Sequence, residues 1–77
     1  MQETIKHIVA DVMEVPISSL NDDSSPDSIA AWDSLKHMNL VLALEQHFSI
    51  TFSEEQIAEM MNLQLILLTV QALAAGH

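Results

Sequence analysis

Trp32-Asp33-Ser34-Leu35-Lys36-His37-Met38-Asn39-Leu40-Val41-Leu42-Ala43-Leu44-Glu45-Gln46-His47-Phe48 is the stretch on which the fold turns. Asp33 stands where a polar loop gives way to an apolar-periodic run, so its carboxylate is predicted to cap the first helical turn by accepting an orphan N–H. Ser34 then takes the first helical position. There the free N–H groups and the positive end of the helix dipole favour an anion, including a phosphate esterified to the hydroxyl. Trp32, just before the cap, is placed to staple onto His37 one turn into the helix. At about 100° per residue, Leu40, Val41, Leu44 and Phe48 share one side, and Leu35, Met38 and Leu42 a second. A helix in a small domain buries one stripe fully. The second stripe is therefore either a contact surface rimmed by Asn39 and Gln46, or lies beneath a neighbouring helix or the long loop.

Upstream, Ile5, Ile8, Val9, Val12 and Met13 recur at helical spacing and predict an amphipathic helix over residues 3–14, ended by Pro16. Val15 to Trp32 carries no sustained period. Ile17 and Leu20 are expected to pin this loop to the core, around a turn-rich acidic run from Asn21 to Asp27. A loop of this length is functional or partly helical. Asp22, Asp23 and Asp27 lack the spacing, the Gly and the terminal Glu of a calcium loop, so no metal site is assigned. Downstream, Ile50 and Phe52 face inward from a connector. Ser53 and Gln56 form a capping box for a short helix over residues 54–60, with Ile57, Met60 and Met61 on its apolar face. Asn62 caps a last helix over residues 63–75, in which Leu63, Ile66, Leu67, Val70 and Ala74 share one face, Leu65 and Leu68 lie off it, and Gly76 supplies the C-cap. The predicted fold is all-α: a small four-helix bundle with a long loop between the first two helices and a short third helix.

Seventy-seven residues suit one domain, residues 1–77, with a small core and marginal stability. The chain has no cysteine, so thiol chemistry would need a prosthetic group. A net charge of −9, with Lys6 and Lys36 as the two basic residues, disfavours nucleic acid and anionic membranes and favours a basic partner surface. The N-terminal residues lack the apolar stretch of a signal peptide. The apolar run from Leu63 to Ala75 is broken by Gln64, Thr69 and Gln71 and is shorter than the ~20 residues of a membrane span. A soluble, cytoplasmic monomer is expected.

His37 lies one turn from Ser34 and invites a Ser–His pairing. There is no partner acid, oxyanion loop or G-x-S-x-G elbow, which excludes a hydrolase, and no catalytic residue is assigned. No metal-ligand cluster or phosphate-binding glycine loop is present, and metal ligands are none.

Trp32, Asp33, Ser34, Leu35, His37, Leu40, Leu44, Glu45, Phe48 and Ile50 spell W-D-S-L-x-H-x-x-L-x-x-x-L-E-x-x-F-x-I. With this pattern, its length and its helix order, the chain resembles the acyl carrier protein family. The resemblance implies a non-catalytic carrier with 4′-phosphopantetheine bound covalently to Ser34, whose terminal thiol holds acyl groups as thioesters. It implies as partners a phosphopantetheinyl transferase and the acyl-loading and acyl-transfer enzymes of fatty acid, polyketide or related biosynthesis. It also implies a methionine-bearing core that opens to admit the acyl chain. Two features depart from the family. Ala31 stands where a Gly is common, which bears on the loop conformation. The helix after Ser34, which in the family commonly carries several acids, here offers Asp33 at its cap and Glu45 near its end, with Lys36, His37, Asn39, Gln46 and His47 between and beside them. Its docking is therefore expected to rest on Asp33, Leu35, Met38 and Leu42, with Glu45 as the local charge, while other acids gather at Asp22, Asp23, Asp27, Glu54, Glu55 and Glu59. The alternatives are a helical interaction or dimerisation module without a prosthetic group, and an aminoacyl or peptidyl carrier.

Overall fold

The computed structural model describes residues 2–75, so the Gly76 cap lies outside the described residues. Four helices follow in order: α1 Gln2–Met13, α2 Ser34–Phe48, α3 Glu54–Glu59 and α4 Leu63–Ala75, with a 3₁₀ turn at Ile17–Ser19 in the long loop. No strand occurs among the described residues. This is the predicted all-α architecture.

α1 buries Ile5, Val9, Ala10 and Met13. It ends at Met13, just ahead of Pro16 as expected. Glu14 adopts a left-handed φ of 58°. Its N–H reaches Asp11 O at 3.3 Å, and Val15 N–H reaches Ala10 O at 3.1 Å, the paired bonds of a Schellman cap. Val15 then packs on the core. α2 also ends on a left-handed residue: Ser49 has φ 55°, and both its N–H and that of Ile50, the latter at 3.2 Å, bond Glu45 O. Neither end uses glycine, so each holds a side chain in a region that costs about 1–2 kcal/mol. Ala31 is not among the positive-φ residues, and its place in the loop demands no glycine.

The loop is organised by short polar side chains, which bond the backbone where no helix does. Asn21 Oδ1 accepts from Asp23 N–H at 2.9 Å, and Ser24 Oγ accepts from Asn21 N–H at 2.9 Å. Its apolar anchors are Ile29 and Trp32, both buried, with the half-buried Leu20 packed on the core, while Ile17, expected as an anchor, is equally half-buried but does not join that cluster. The loop also completes α4. Ser24 O accepts from Leu63 N–H at 2.9 Å and Asp22 O from Gln64 N–H at 3.1 Å, while the Asn62 side chain takes Leu65 N–H at 2.8 Å. Orphan donors of the first turn thus find partners in a distant segment.

α2 lays Leu40, Val41 and Leu44 into the core, in one cluster with Met13, Met60 and Ile66. Ile50 and Phe52 are buried as expected. Each such side chain contributes about 1.5–3 kcal/mol of burial. α3 has its capping box, Ser53 Oγ accepting from Gln56 N–H at 3.1 Å and Gln56 Oε1 from Ser53 N–H at 2.9 Å, yet buries none of its own residues. One expectation fails here. Met61 does not join Ile57 and Met60 on an apolar face but is 64% exposed. The helix closes at Glu59, and Met60 leaves it with φ −79° and ψ 64°, which turns Met61 out of register. α4 buries Leu63, Ile66, Leu67 and Val70 and leaves Leu65 and Leu68 exposed, as the periodicity requires. Among the described residues no helix is long and apolar enough to cross a membrane.

Candidate functional site

Ser34 opens α2 and is exposed. Asp33 is its cap, with extended backbone and Oδ1 accepting from Lys36 N–H at 2.9 Å, while Asp33 O takes His37 N–H at 2.9 Å. The N–H groups of Ser34 and Leu35 have no intrahelical acceptor by construction, so they and the helix dipole face an anion on this serine. Lys36 Nζ lies 3.4 Å from Glu14 Oε2. Glu14 is 77% exposed there, so this pair is solvent-screened and contributes little. It does join the first turn of α2 to the end of α1.

Leu35, Met38 and Leu42 are 70%, 45% and 51% exposed, which settles the second stripe of α2: nothing in the described chain covers it. Glu45 behaves differently. It is half-buried, and its Oε2 accepts from Phe52 N–H at 2.9 Å, so this carboxylate holds the α2–α3 connector. Asp33 is likewise engaged in its cap. Asp22, Asp23 and Asp27 are exposed in the loop, and Glu54, Glu55 and Glu59 on α3. No group of three potential metal ligands comes together among the described residues.

His37 does not serve Ser34 as a base. Its Nδ1 accepts from Trp32 Nε1–H at 3.1 Å, which leaves the ring proton on Nε2, and Nε2–H donates to Ile57 O at 3.0 Å. Both nitrogens are occupied, and neither bond goes to Ser34. Trp32 is 2% exposed and lies nearly parallel to the imidazole, with ring centroids 6.2 Å apart. The staple expected between them is therefore a hydrogen bond with stacking, extended to α3. Its extension to Ile57 was not readable, because the acceptor is a backbone carbonyl and leaves no mark in the sequence.

Beside Ser34 opens a cleft of about 560 Å³ between the start of α2 and α3, lined by Trp32, His37, Met38, Ile57 and Met61, with Met60 at its inner wall. An exposed hydroxyl at a helix start and an apolar trough next to it fit a long, flexible group attached through a phosphate.

Fold and site define a helical domain of the carrier type, with an exposed serine at a helix start. The chain belongs to the phosphopantetheine attachment site family, whose model matches residues 3–74. It is 26% identical over 75 residues to acyl carrier protein 3 of Ralstonia nicotianae, covering 97% of this chain and 86% of that protein. Its fold is similar to the solution NMR structure of a holo acyl carrier protein from Geobacter metallireducens, with a TM-score of 0.87 at 29% identity, over 97% of this chain and 86% of that one. It is accordingly a non-catalytic carrier of the phosphopantetheine-binding type. The reading as an interaction module without a prosthetic group falls away.

Proposed function

We propose that residues 1–77 work as one acyl carrier unit whose phosphopantetheine is attached at Ser34. The observation that carries this is the exposed Ser34 hydroxyl at the capped start of α2, beside an apolar cleft. In the attachment step Ser34 Oγ bonds to the phosphorus of the pantetheine phosphate. The pyrophosphate bond of coenzyme A breaks, adenosine 3′,5′-bisphosphate leaves, and the hydroxyl proton passes to a base of the transferase. The group supplies the thiol that this cysteine-free chain lacks, and that thiol carries an acyl group as a thioester. The chain's own part is to present Ser34 on a rigid helix start and to offer a docking face.

That face is the strip Leu35, Met38 and Leu42, with Asp33 at its edge. Glu45 contributes mainly to the connector through Phe52. Charges farther than a Debye length, ~8 Å at physiological salt, speed encounter but supply no close contact. The acids of the loop therefore steer, while the apolar strip docks and Glu54 stands at the rim of the same cleft as Ser34 and Met38. This suits a cytoplasmic monomer serving a dedicated set of acyl-loading and acyl-transfer enzymes of fatty acid, polyketide or related biosynthesis. Incubation with coenzyme A and a phosphopantetheinyl transferase should add the mass of one arm. Ser34→Ala should add none while keeping its helical circular dichroism, and modification surviving in that variant would remove Ser34 from the account.

A further inference from the structure

The cleft beside Ser34 backs directly onto the core. Met60, which lines this cleft between α2 and α3, is itself fully buried, so the cleft meets the core there. His37 stretches across that seam. Its Nε2–H holds Ile57 O in the middle of α3, and its Nδ1 holds the indole N–H of Trp32. Ile57 O is an end-of-helix carbonyl without its usual acceptor role in the next turn, because Met61 N–H bonds Glu59 O instead. Among the described residues no other side chain hydrogen-bonds α3 to another helix. α3 therefore cannot move away from α2 without breaking this bond. Displacing the ring also leaves the nearly enclosed indole N–H without a partner, and an unmade bond in such a place costs more than a made one gains.

We propose that His37 is a specificity-determining tie that holds the α2–α3 seam shut, so that an acyl chain on the arm lies along the open cleft and does not enter the core. The inference rests on Ser34 as the attachment point and reverses the expectation that the methionine-bearing core opens around its cargo. The cargo class it suits is a short acyl group, which the open cleft contacts on one side only and so stabilises little. A long apolar chain gains no shelter, and its excess length stays in contact with solvent.

The test compares wild type, His37→Ala and His37→Gln. Each is loaded with octanoyl-phosphopantetheine from octanoyl-coenzyme A by a phosphopantetheinyl transferase, and separately with the unacylated arm. Intact mass reports loading, the melting temperature of each octanoyl form is compared with the unacylated form of the same variant, and deuterium exchange follows the single indole proton, that of Trp32. Wild type should melt within about 1 °C in its two forms, with an unchanged indole exchange rate. His37→Ala should melt more than about 3 °C higher when octanoylated, because a chain that enters the interior stabilises the folded state alone. His37→Gln, which keeps a donor and an acceptor, should follow wild type. A merely structural His37 would lower both forms of the alanine variant equally, and that result overturns the proposal. So does an octanoyl wild type that is stabilised, or whose indole proton exchanges faster than in the unacylated form; these measurements decide the matter even where His37→Ala does not fold. Failure of wild type to gain any mass overturns the Ser34 assignment, and this inference with it.

Discussion

α2 and α3 flank the same cleft and are held by opposite means. α2 spans fifteen residues, is capped at both ends and drives three side chains fully into the core. α3 spans six residues, fully buries none of them, and stays in place through its half-buried Ile57 on the core, the enclosed Met60 that follows it and the His37 bond. Packing makes α2 a platform on which Ser34 is fixed. Specific hydrogen bonds make α3 a wall, because a segment with so little buried surface sits at the low end of local stability. The two helices should therefore answer differently to substitution.

The largest effect is expected from Leu44→Ala. It removes a fully buried side chain of α2, costs about 2–5 kcal/mol and, in a domain this small, brings the whole fold near its unfolding midpoint in urea titration. Next comes Ser53→Ala, which deletes the capping box of α3 for about 1 kcal/mol. Amide exchange should quicken within residues 54–59 far more than in α2; equal quickening in both helices would show that they unfold as one unit. Ser49→Gly works the other way. Relieving a left-handed serine, less the entropy glycine adds to the unfolded chain, should stabilise by about 0.5–1 kcal/mol, seen as a later urea midpoint with an unchanged slope. The smallest stability change belongs to Met38→Asp, within about 0.5 kcal/mol because the site is exposed. That substitution should nevertheless reduce turnover by partner enzymes more than neutralising Asp22 and Asp23 together. At physiological salt, a greater loss from the loop pair would assign docking to the acids.

Most of the helices were legible because their signals are local. Asp33, the Ser53–Gln56 pair and Asn62 cap the helices that their residue types announce, and period 3.6 separated Leu40 and Leu44 from Leu35 and Met38. What the periodicity left open, whether the second stripe of α2 is covered, depends on where every other element packs. The loop resisted for a different reason. Ile29 and Ser24 are buried within it without any repeat to mark them, and the carbonyls of Asp22 and Ser24 serve a helix far along the chain. Met61 was misread because the end of a short helix, not its spacing, decided where that side chain went. At the site, Ser34 and its cap could be placed from sequence. The engagement of Glu45 with Phe52 and of His37 with Ile57 could not, since backbone groups are invisible in a pattern of side chains.

The junction between the loop and α4 bears on how the chain reaches this state. The first turn of α4 is finished by carbonyls from residues 22 and 24, so its donors at 63 and 64 wait on a segment separated from them by all of α2 and α3. Bringing such distant partners together costs loop-closure entropy before the bonds return anything. The end of the molecule that looks most local, a plain apolar helix, thus has a first turn whose completion carries the entropy cost of closing a long loop.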